Sequence, residues 1–142
     1  MAEGNQIWRV DVGNLEGKDK NTYPGEGYAG KAILEGQVAG WEDGLLRNAK
    51  FDNPHQICFT EDGKLYIADC GNNCIRVIDT KLPLDRAMVT TPIGLPGMKG
   101  YKDGGPDIAL FNHPFGVAVS ADGQIVYVAD TGNKVIRKLS IQ

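Results

Sequence analysis

Long hydrophobic runs are missing from this 142-residue sequence. None approaches the roughly twenty apolar residues that a membrane-spanning helix needs, so no membrane span is expected. Basic clusters are missing as well. The 15 Lys and Arg are scattered among 18 Asp and Glu, for a formal net charge of −3. A stripe of Lys and Arg along one face is the electrostatic mark of nucleic-acid binding, and without it no nucleic-acid partner is expected. The opening residues Met1-Ala2-Glu3-Gly4-Asn5 lack the basic and apolar regions of a signal peptide. Cysteine is scarce and odd in number, with only Cys58, Cys70 and Cys74, which argues against a disulfide framework. Cys70 and Cys74 flank a short turn, but a zinc site needs two further ligands, and only Cys58, His55 and His113 remain to supply them. Small residues packed in strands are the expectation, with no cofactor. No Ser-His-Asp arrangement, phosphate-cradling Gly loop or HExxH motif occurs.

What is present points to sheets. The 19 Gly and 7 Pro fall between short apolar runs, the distribution of a chain with many turns and many short strands. Hydrophobic residues make up 42% and charged residues 23%, a balance compatible with a packed core.

An internal repeat organises the chain. Gly4-Asn5-Gln6-Ile7-Trp8-Arg9-Val10 matches Gly71-Asn72-Asn73-Cys74-Ile75-Arg76-Val77, and both match Gly132-Asn133-Lys134-Val135-Ile136-Arg137-Lys138. The last two copies agree much further. Trp41-Glu42-Asp43-Gly44 pairs with Tyr101-Lys102-Asp103-Gly104, and Ala49-Lys50-Phe51-Asp52-Asn53-Pro54 with Ala109-Leu110-Phe111-Asn112-His113-Pro114. Asp62-Gly63 pairs with Asp122-Gly123, and Leu65-Tyr66-Ile67-Ala68-Asp69 with Val126-Tyr127-Val128-Ala129-Asp130, one residue being inserted just past Asp122-Gly123. A repeat of about sixty residues is the mark of an array of supersecondary units.

Each unit reads as four strands. In the central copy they are expected at 56–60, 64–68 and 74–79, with a fourth at 87–93; Asp62-Gly63 suits the first hairpin because both residues tolerate positive φ. The last copy gives 116–120, 125–129 and 135–141. The first copy enters at its third strand, 6–12, with a fourth expected within 31–38. Four antiparallel strands joined by tight turns and repeated in tandem describe a β-propeller blade. The fold expected is therefore all-β, an incomplete ring of about two and a half blades. Residues 1–40 supply the outer strands of a first blade plus an irregular insertion, 41–100 a complete blade, and 101–142 a blade without its last strand. Residues 13–30 have no counterpart elsewhere in the chain. Propellers close with about four to eight blades, so other blades are the expected partners, from the rest of a parent chain or from another copy.

The motif Pro, apolar strand, Asp-Gly, Leu-Tyr-Val-Ala-Asp, Gly-Asn, Ile-Arg resembles the NHL repeat family. Here it runs through Pro54, Asp62-Gly63, Leu65 to Asp69, Gly71-Asn72 and Ile75-Arg76, and again through Pro114 to Arg137. The longer form, with Gly100-Tyr101-Lys102-Asp103-Gly104 ahead of Ala109 to Pro114, resembles propellers of Bacteroides-type surface proteins in which NHL blades follow an immunoglobulin-like TIG domain. That resemblance implies export to the cell surface and contact with glycans. Tyr23-Pro24-Gly25-Glu26-Gly27 departs from the pattern.

Residues that match between copies are expected to build the blade. Ile57, Phe59, Ile67, Val77, Val117, Val119 and Val128 should fill the interfaces between blades. Asp69 and Asp130 should accept from turn amides, Arg76 and Arg137 should reach across their hairpins to those carboxylates, and Asn72 and Asn133 should take the left-handed conformation. Residues that break the match are free to serve a site. His55-Gln56 stands against Phe115-Gly116 at the start of the innermost strand, where propeller ligands bind at the channel mouth. The aromatic pair Trp41 and Tyr101 offers a surface for stacking on a sugar. The function expected is a non-catalytic scaffold for a glycan or protein ligand. Its alternative is part of a propeller hydrolase, lactonase or lyase with a metal at the channel mouth, for which His55 is the hint.

Overall fold

The computed structural model describes residues 5–10, 25–33 and 36–141. Residues 1–4, 11–24, 34–35 and 142 lie outside the described residues, and with them Tyr23-Pro24 and the end of the strand expected at 6–12.

Among the described residues the strands are β1 (Ile7–Val10), β2 (Gly25–Ala29), β3 (Ala32–Ile33), β4 (Gly36–Gln37), β5 (Gly44–Leu45), β6 (Pro54–Phe59), β7 (Lys64–Asp69), β8 (Cys74–Asp79), β9 (Met88–Ile93), β10 (Pro114–Val119), β11 (Ile125–Asp130) and β12 (Val135–Ser140). Among the described residues there is no α-helix, only two single 3-10 turns at Cys70–Asn72 and Thr131–Asn133. The central sheet has the order β5-β9-β8-β7-β6, and the last sheet the order β10-β11-β12. All their pairs are antiparallel. The fold is a tandem of propeller blades that does not close a ring: one complete blade, three strands of the next, and the β1-β2 pair of a preceding one.

Local chemistry sets the hairpins. Gly63 and Gly123 turn with φ of 86° and 74°, and the neighbouring carboxylates of Asp62 and Asp122 accept from the hydroxyls of Thr60 and Ser120. These bonds hold both exposed carboxyls below their ordinary range. The short β5 was absent from the sequence reading. It pairs with the outer edge of β9 through Gly44↔Val89 and Leu45↔Met88, so the complete blade carries a fifth strand.

The first blade differs from expectation in two ways. Its fourth strand is β2, not a strand within 31–38, where β3 and β4 pair only with each other. Residues 25–30 therefore do have a counterpart, in 89–94. Gly30 and Gly94, with φ of 111° and 88°, each follow the fourth strand, and a Cβ at either would strike backbone of the third strand at about 3 Å. The longer connection from β1 to β2 hides this equivalence in the sequence.

The register of the first copy is also shifted by one residue from the sequence match. Asn5 Oδ1 accepts from the Asn53 amide at 2.7 Å, and Asn73 Oδ1 accepts from the equivalent His113 amide at 2.9 Å. Ile7 pairs with Ala29 as Ile75 pairs with Ile93. Asn5 thus corresponds to Asn73 rather than Asn72, and Trp8 rather than Arg9 occupies the position of Arg76. Because strand side chains alternate between faces, a slip of one residue turns every side chain to the other face. The shift puts Ile7 into the core and leaves Trp8 exposed. Arg9 pairs with Glu26 at the surface.

Two hydrophobic cores lie between sheets. The first joins Ile7 and Ala29 to Leu65, Ile67, Ile78, Ala87 and Val89; the second joins Tyr66, Ala68, Ile75 and Ile93 to Val117, Val126, Val128 and Leu139. Each fully buried side chain of this kind contributes about 1.5–3 kcal/mol. Of the residues expected at these interfaces, Ile67, Val117 and Val128 are buried, and Val77 and Val119 pack at the margin of the second core. Ile57 and Phe59 do not fill one. Val117 is 5% exposed and its counterpart Ile57 is 51% exposed. Val117 lies on β10, which packs on β6, whereas among the described residues the sheet before β6 consists of β1 and β2 and offers no inner strand to cover Ile57.

Candidate functional site

Two constellations concentrate the polar chemistry. The first is a buried clamp, present twice. Arg76 donates through NH1 to Asp69 Oδ2 at 2.8 Å and to the Lys50 carbonyl at 2.6 Å, and through NH2 to the Glu42 carbonyl at 2.8 Å and Asp43 Oδ1 at 3.0 Å. Arg137 repeats this with Asp130, the carbonyls of Leu110 and Lys102, and Asp103. Each guanidinium also lies over an aromatic ring, Arg76 over Phe51 at 4.7 Å and Arg137 between Phe111 at 5.0 Å and Tyr101 at 4.7 Å. A planar, always charged fork with five donors suits such a site where Lys would not.

The Asp of each clamp serves more than the Arg. Asp69 Oδ1 accepts from the Asp52 amide and its Oδ2 also accepts from Asn72 Nδ2, both within 2.9 Å; Asp130 does the same with Asn112 and Asn133. Burial pushes the Asp69 carboxyl above its ordinary value, and the Asn72 amide, the Asp52 amide and Arg76 pull it back down. The partners are thus a distant amide and an Asn side chain rather than the turn amides expected. Asn72 and Asn133 correct a second expectation. They end the 3-10 turns and donate to the carbonyls of Gly40 and Gly100, while the left-handed residues are the ones after them, Asn73 (φ 57°) and Lys134 (φ 59°).

Trp41 and Tyr101, though equivalent in sequence, do different things. Tyr101 caps Arg137 with its ring, and Trp41 Nε1 donates to Thr91 Oγ1 on β9 at 3.0 Å. Both keep an exposed face.

The second constellation lies where the innermost strands β6 and β10 begin. Asn53 and His113 precede prolines and take positive φ of 55° and 52°. Residues before proline favour extended conformations, and here the preceding blade's Asn side chains hold their amides. The chain then turns so that the His55 and Phe115 rings stack, 4.1 Å between centroids and 9° from parallel, with both residues exposed. Beside them Gln56 Oε1 accepts from the Val117 amide at 2.9 Å. A Cβ at position 116 would stand 2.8 Å from that oxygen, so Gly116 makes room for Gln56. That bond fixes the amide orientation and leaves Gln56 Nε2 as a donor without a partner among the described residues. Sequence comparison marked His55-Gln56 against Phe115-Gly116 as a break; the structure joins the two members of the break across a blade interface. Phe115 itself was missed, for its partnership is with a residue sixty positions away.

Among the described residues no group of three His, Cys, Asp or Glu converges as metal ligands would. Cys70 and Cys74 are free thiols and buried. Burial pushes the Cys70 thiol up to about 11, and it pushes Cys74 further in the same direction. At pH 8 only about one Cys70 in a thousand is then thiolate, the form that reacts. Alkylation of the folded protein at pH 8 is expected to label Cys58 alone, and mass spectrometry of the tryptic peptides checks it.

Alternating sheets, a repeated buried clamp and cores between neighbouring blades define this chain as part of a β-propeller. The central blade carries the NHL repeat, whose family model matches residues 51–78. NHL repeat-containing protein 2 of Gallus gallus is 33% identical over 101 residues, spanning 70% of this chain and 13% of that protein. The Arabidopsis thaliana protein SUPPRESSOR OF QUENCHING 1, chloroplastic, is 30% identical over 102 residues, spanning 72% of this chain and 9% of that protein. The chain thus spans a small part of the curated relatives it matches. Among solved structures, an auxiliary nutrient binding protein from Bacteroides ovatus superimposes with a TM-score of 0.72 at 28% identity, covering 94% of this chain and 32% of its own. A Bacteroides thetaiotaomicron protein of unknown function gives a TM-score of 0.71 at 29% identity, covering 84% of this chain and 28% of its own.

Proposed function

We propose that this chain is part of a non-catalytic NHL-propeller scaffold that binds a glycan through the surface where its innermost strands begin. The observation that carries the reading is the exposed His55–Phe115 stack beside a Gln56 amide that the Val117 N–H orients and whose Nε2 donor has no partner among the described residues. A sugar offers one apolar face and a rim of hydroxyls. Stacked rings suit the face, and the imidazole and the fixed amide suit the rim. The clamp residues Asp69, Asn72, Arg76, Asp130, Asn133 and Arg137 are assigned to building the blade, because they recur. Trp41 and Tyr101 are assigned to closing the clamps. The likeness to a nutrient-binding protein of Bacteroides ovatus supports a binding role, and we place the chain in an exported, cell-surface setting on the same ground.

Titration with a panel of neutral oligosaccharides tests this. Phe115→Ala and His55→Ala are each expected to weaken the best ligand by roughly fivefold, from the loss of about 1 kcal/mol of stacking, with little change in melting temperature because both rings are exposed. Binding unchanged by both substitutions, or lost only on Trp41→Ala, refutes the assignment.

A further inference from the structure

The side-chain amides beside the His55–Phe115 stack offer hydrogen bonds of one kind only. A backbone N–H can donate but never accept, so the Val117 amide fixes which end of the Gln56 side chain faces it. That end is the oxygen, at 2.9 Å. Asn73 is fixed in the same way, its Oδ1 accepting from the His113 amide at 2.9 Å. Each side chain is left with an amide NH2 that can only donate. Asn73 is 6% exposed, and its Nδ2 has no partner among the described residues. Among those residues only Arg76 Nε is both unpartnered and sealed from solvent, so the Asn73 NH2 is open to a ligand.

Three side chains of the central blade thereby hold alternate residues at the start of the next: Asn73 takes His113, His55 takes Phe115 and Gln56 takes Val117. Both rings sit at β-bulges. His55 is the extra residue between Pro54 and Gln56, and Phe115 the extra residue between Pro114 and Gly116. A bulge re-aims its side chain, and here two of them bring rings from different blades together.

Charge is missing from the same place. The segments that meet there, 53–58, 70–74 and 112–117, contain no Lys, Arg, Asp or Glu. A carboxylate or sulfate on a sugar gains most from a cation, and these segments supply none. Uncharged donors beside an exposed ring best suit a neutral carbonyl that carries an apolar substituent. The carbonyl only accepts, and a methyl group has no hydrogen bonds to lose on leaving water.

We propose that the glycan bound here contains an N-acetylated amino sugar. Its acetamido carbonyl accepts from Gln56 Nε2, and its methyl group lies on the His55–Phe115 stack. Asn73, held against His113 two residues before Phe115, supplies a second donor to the same ligand. The assignment rests on the glycan reading above and adds the class of sugar to it.

Calorimetric titration of the full chain tests this with four matched oligosaccharides, built from N-acetylglucosamine, glucosamine, glucose and glucuronic acid. The acetylated oligomer is expected to bind roughly fivefold more tightly than the glucose oligomer, the size of one neutral hydrogen bond. Gln56→Glu isolates the donor, because the carboxylate still accepts from Val117 but has no hydrogen to give. It is expected to weaken the acetylated oligomer roughly fivefold and leave the glucose oligomer no weaker, with circular dichroism and the melting temperature unchanged. Equal affinity for the acetylated and glucose oligomers overturns the proposal and leaves the glycan reading standing. Tightest binding of the glucosamine or glucuronic acid oligomer does the same. An acetyl preference that survives Gln56→Glu in a folded variant removes Gln56 from the role. Failure of all four oligomers to bind overturns the glycan reading as well.

Discussion

Arg76→Ala is expected to lower the unfolding free energy by about 3–5 kcal/mol, the range for removing one partner of a buried ion pair. The guanidinium and the Asp69 carboxylate are both wholly buried, so the substitution strands a charge where water cannot reach it. It also removes the donors that two loop carbonyls, Lys50 and Glu42, depend on. For a chain of this size the melting temperature falls by roughly 10–20 °C. Arg137→Ala removes the same set of bonds in the next blade and is expected to cost about half as much. There the second carboxylate, Asp103, and the Tyr101 ring are exposed, and water can replace what is lost. Parallel thermal melts check both. Equal effects would mean that burial does not set the size of the loss, and an unchanged melting temperature for Arg76→Ala would sink the structural reading of the clamp.

Phe111→Ala carries the second large effect, about 3–5 kcal/mol. Its ring is wholly buried in the core between the last two blades and supports Arg137 from below. A cavity there weakens the packing between blades and the clamp together, so the loss should exceed that from the same deletion at an exposed ring. Phe115→Ala is the comparison: its ring is exposed, and its cost is expected to stay under about 1 kcal/mol. Urea unfolding with both variants measures the difference. A blade unit leans on its neighbours for most of its stability, and hydrogen exchange on Phe111→Ala should therefore show β10, β11 and β12 opening ahead of the central sheet.

Much of the blade was legible in the residues. The alternation of 64–68 and 74–79 with Asp-Gly and Gly-Asn between hydrophobic runs gave strands that coincide with β7 and β8 to within a residue. The Asp69–Arg76 and Asp130–Arg137 partnerships were visible because strand period and turn length put positions seven apart on one face of a hairpin as diagonal neighbours, Asp69 standing opposite Cys74 and Arg76 opposite Ile67. Other features were not legible, each for a stated cause. β5 is two residues long, too short to show a period, and exists only because β9 offers it an edge. β2 was misplaced because the number of residues between it and β1 differs from that between β8 and β9. Trp8 was matched to the wrong residue because Gly4-Asn5 aligns with Gly71-Asn72 in sequence, whereas the bond from the Asn53 amide to Asn5 and the pairing of Ile7 with Ala29 set the register one residue along.

The candidate site divides the same way. The substitution of His55-Gln56 by Phe115-Gly116 could be seen as a break between copies, but not that His55 would stack on Phe115 or that Gly116 would admit the Gln56 side chain. Composition, turn residues and the sixty-residue repeat determined that this protein folds as successive antiparallel blades, with the Asp-Arg clamp in the last two, since those depend on contacts within a hairpin or on a period repeated along the chain. Which apolar residues are buried, which register the first blade adopts, and which rings and carboxylates stay open were decided only by the stacking of one blade on another. Ile57 and Val117 share a place in the repeat and differ in burial for that reason alone: a sheet has two faces, and what covers each is set by its neighbour in space.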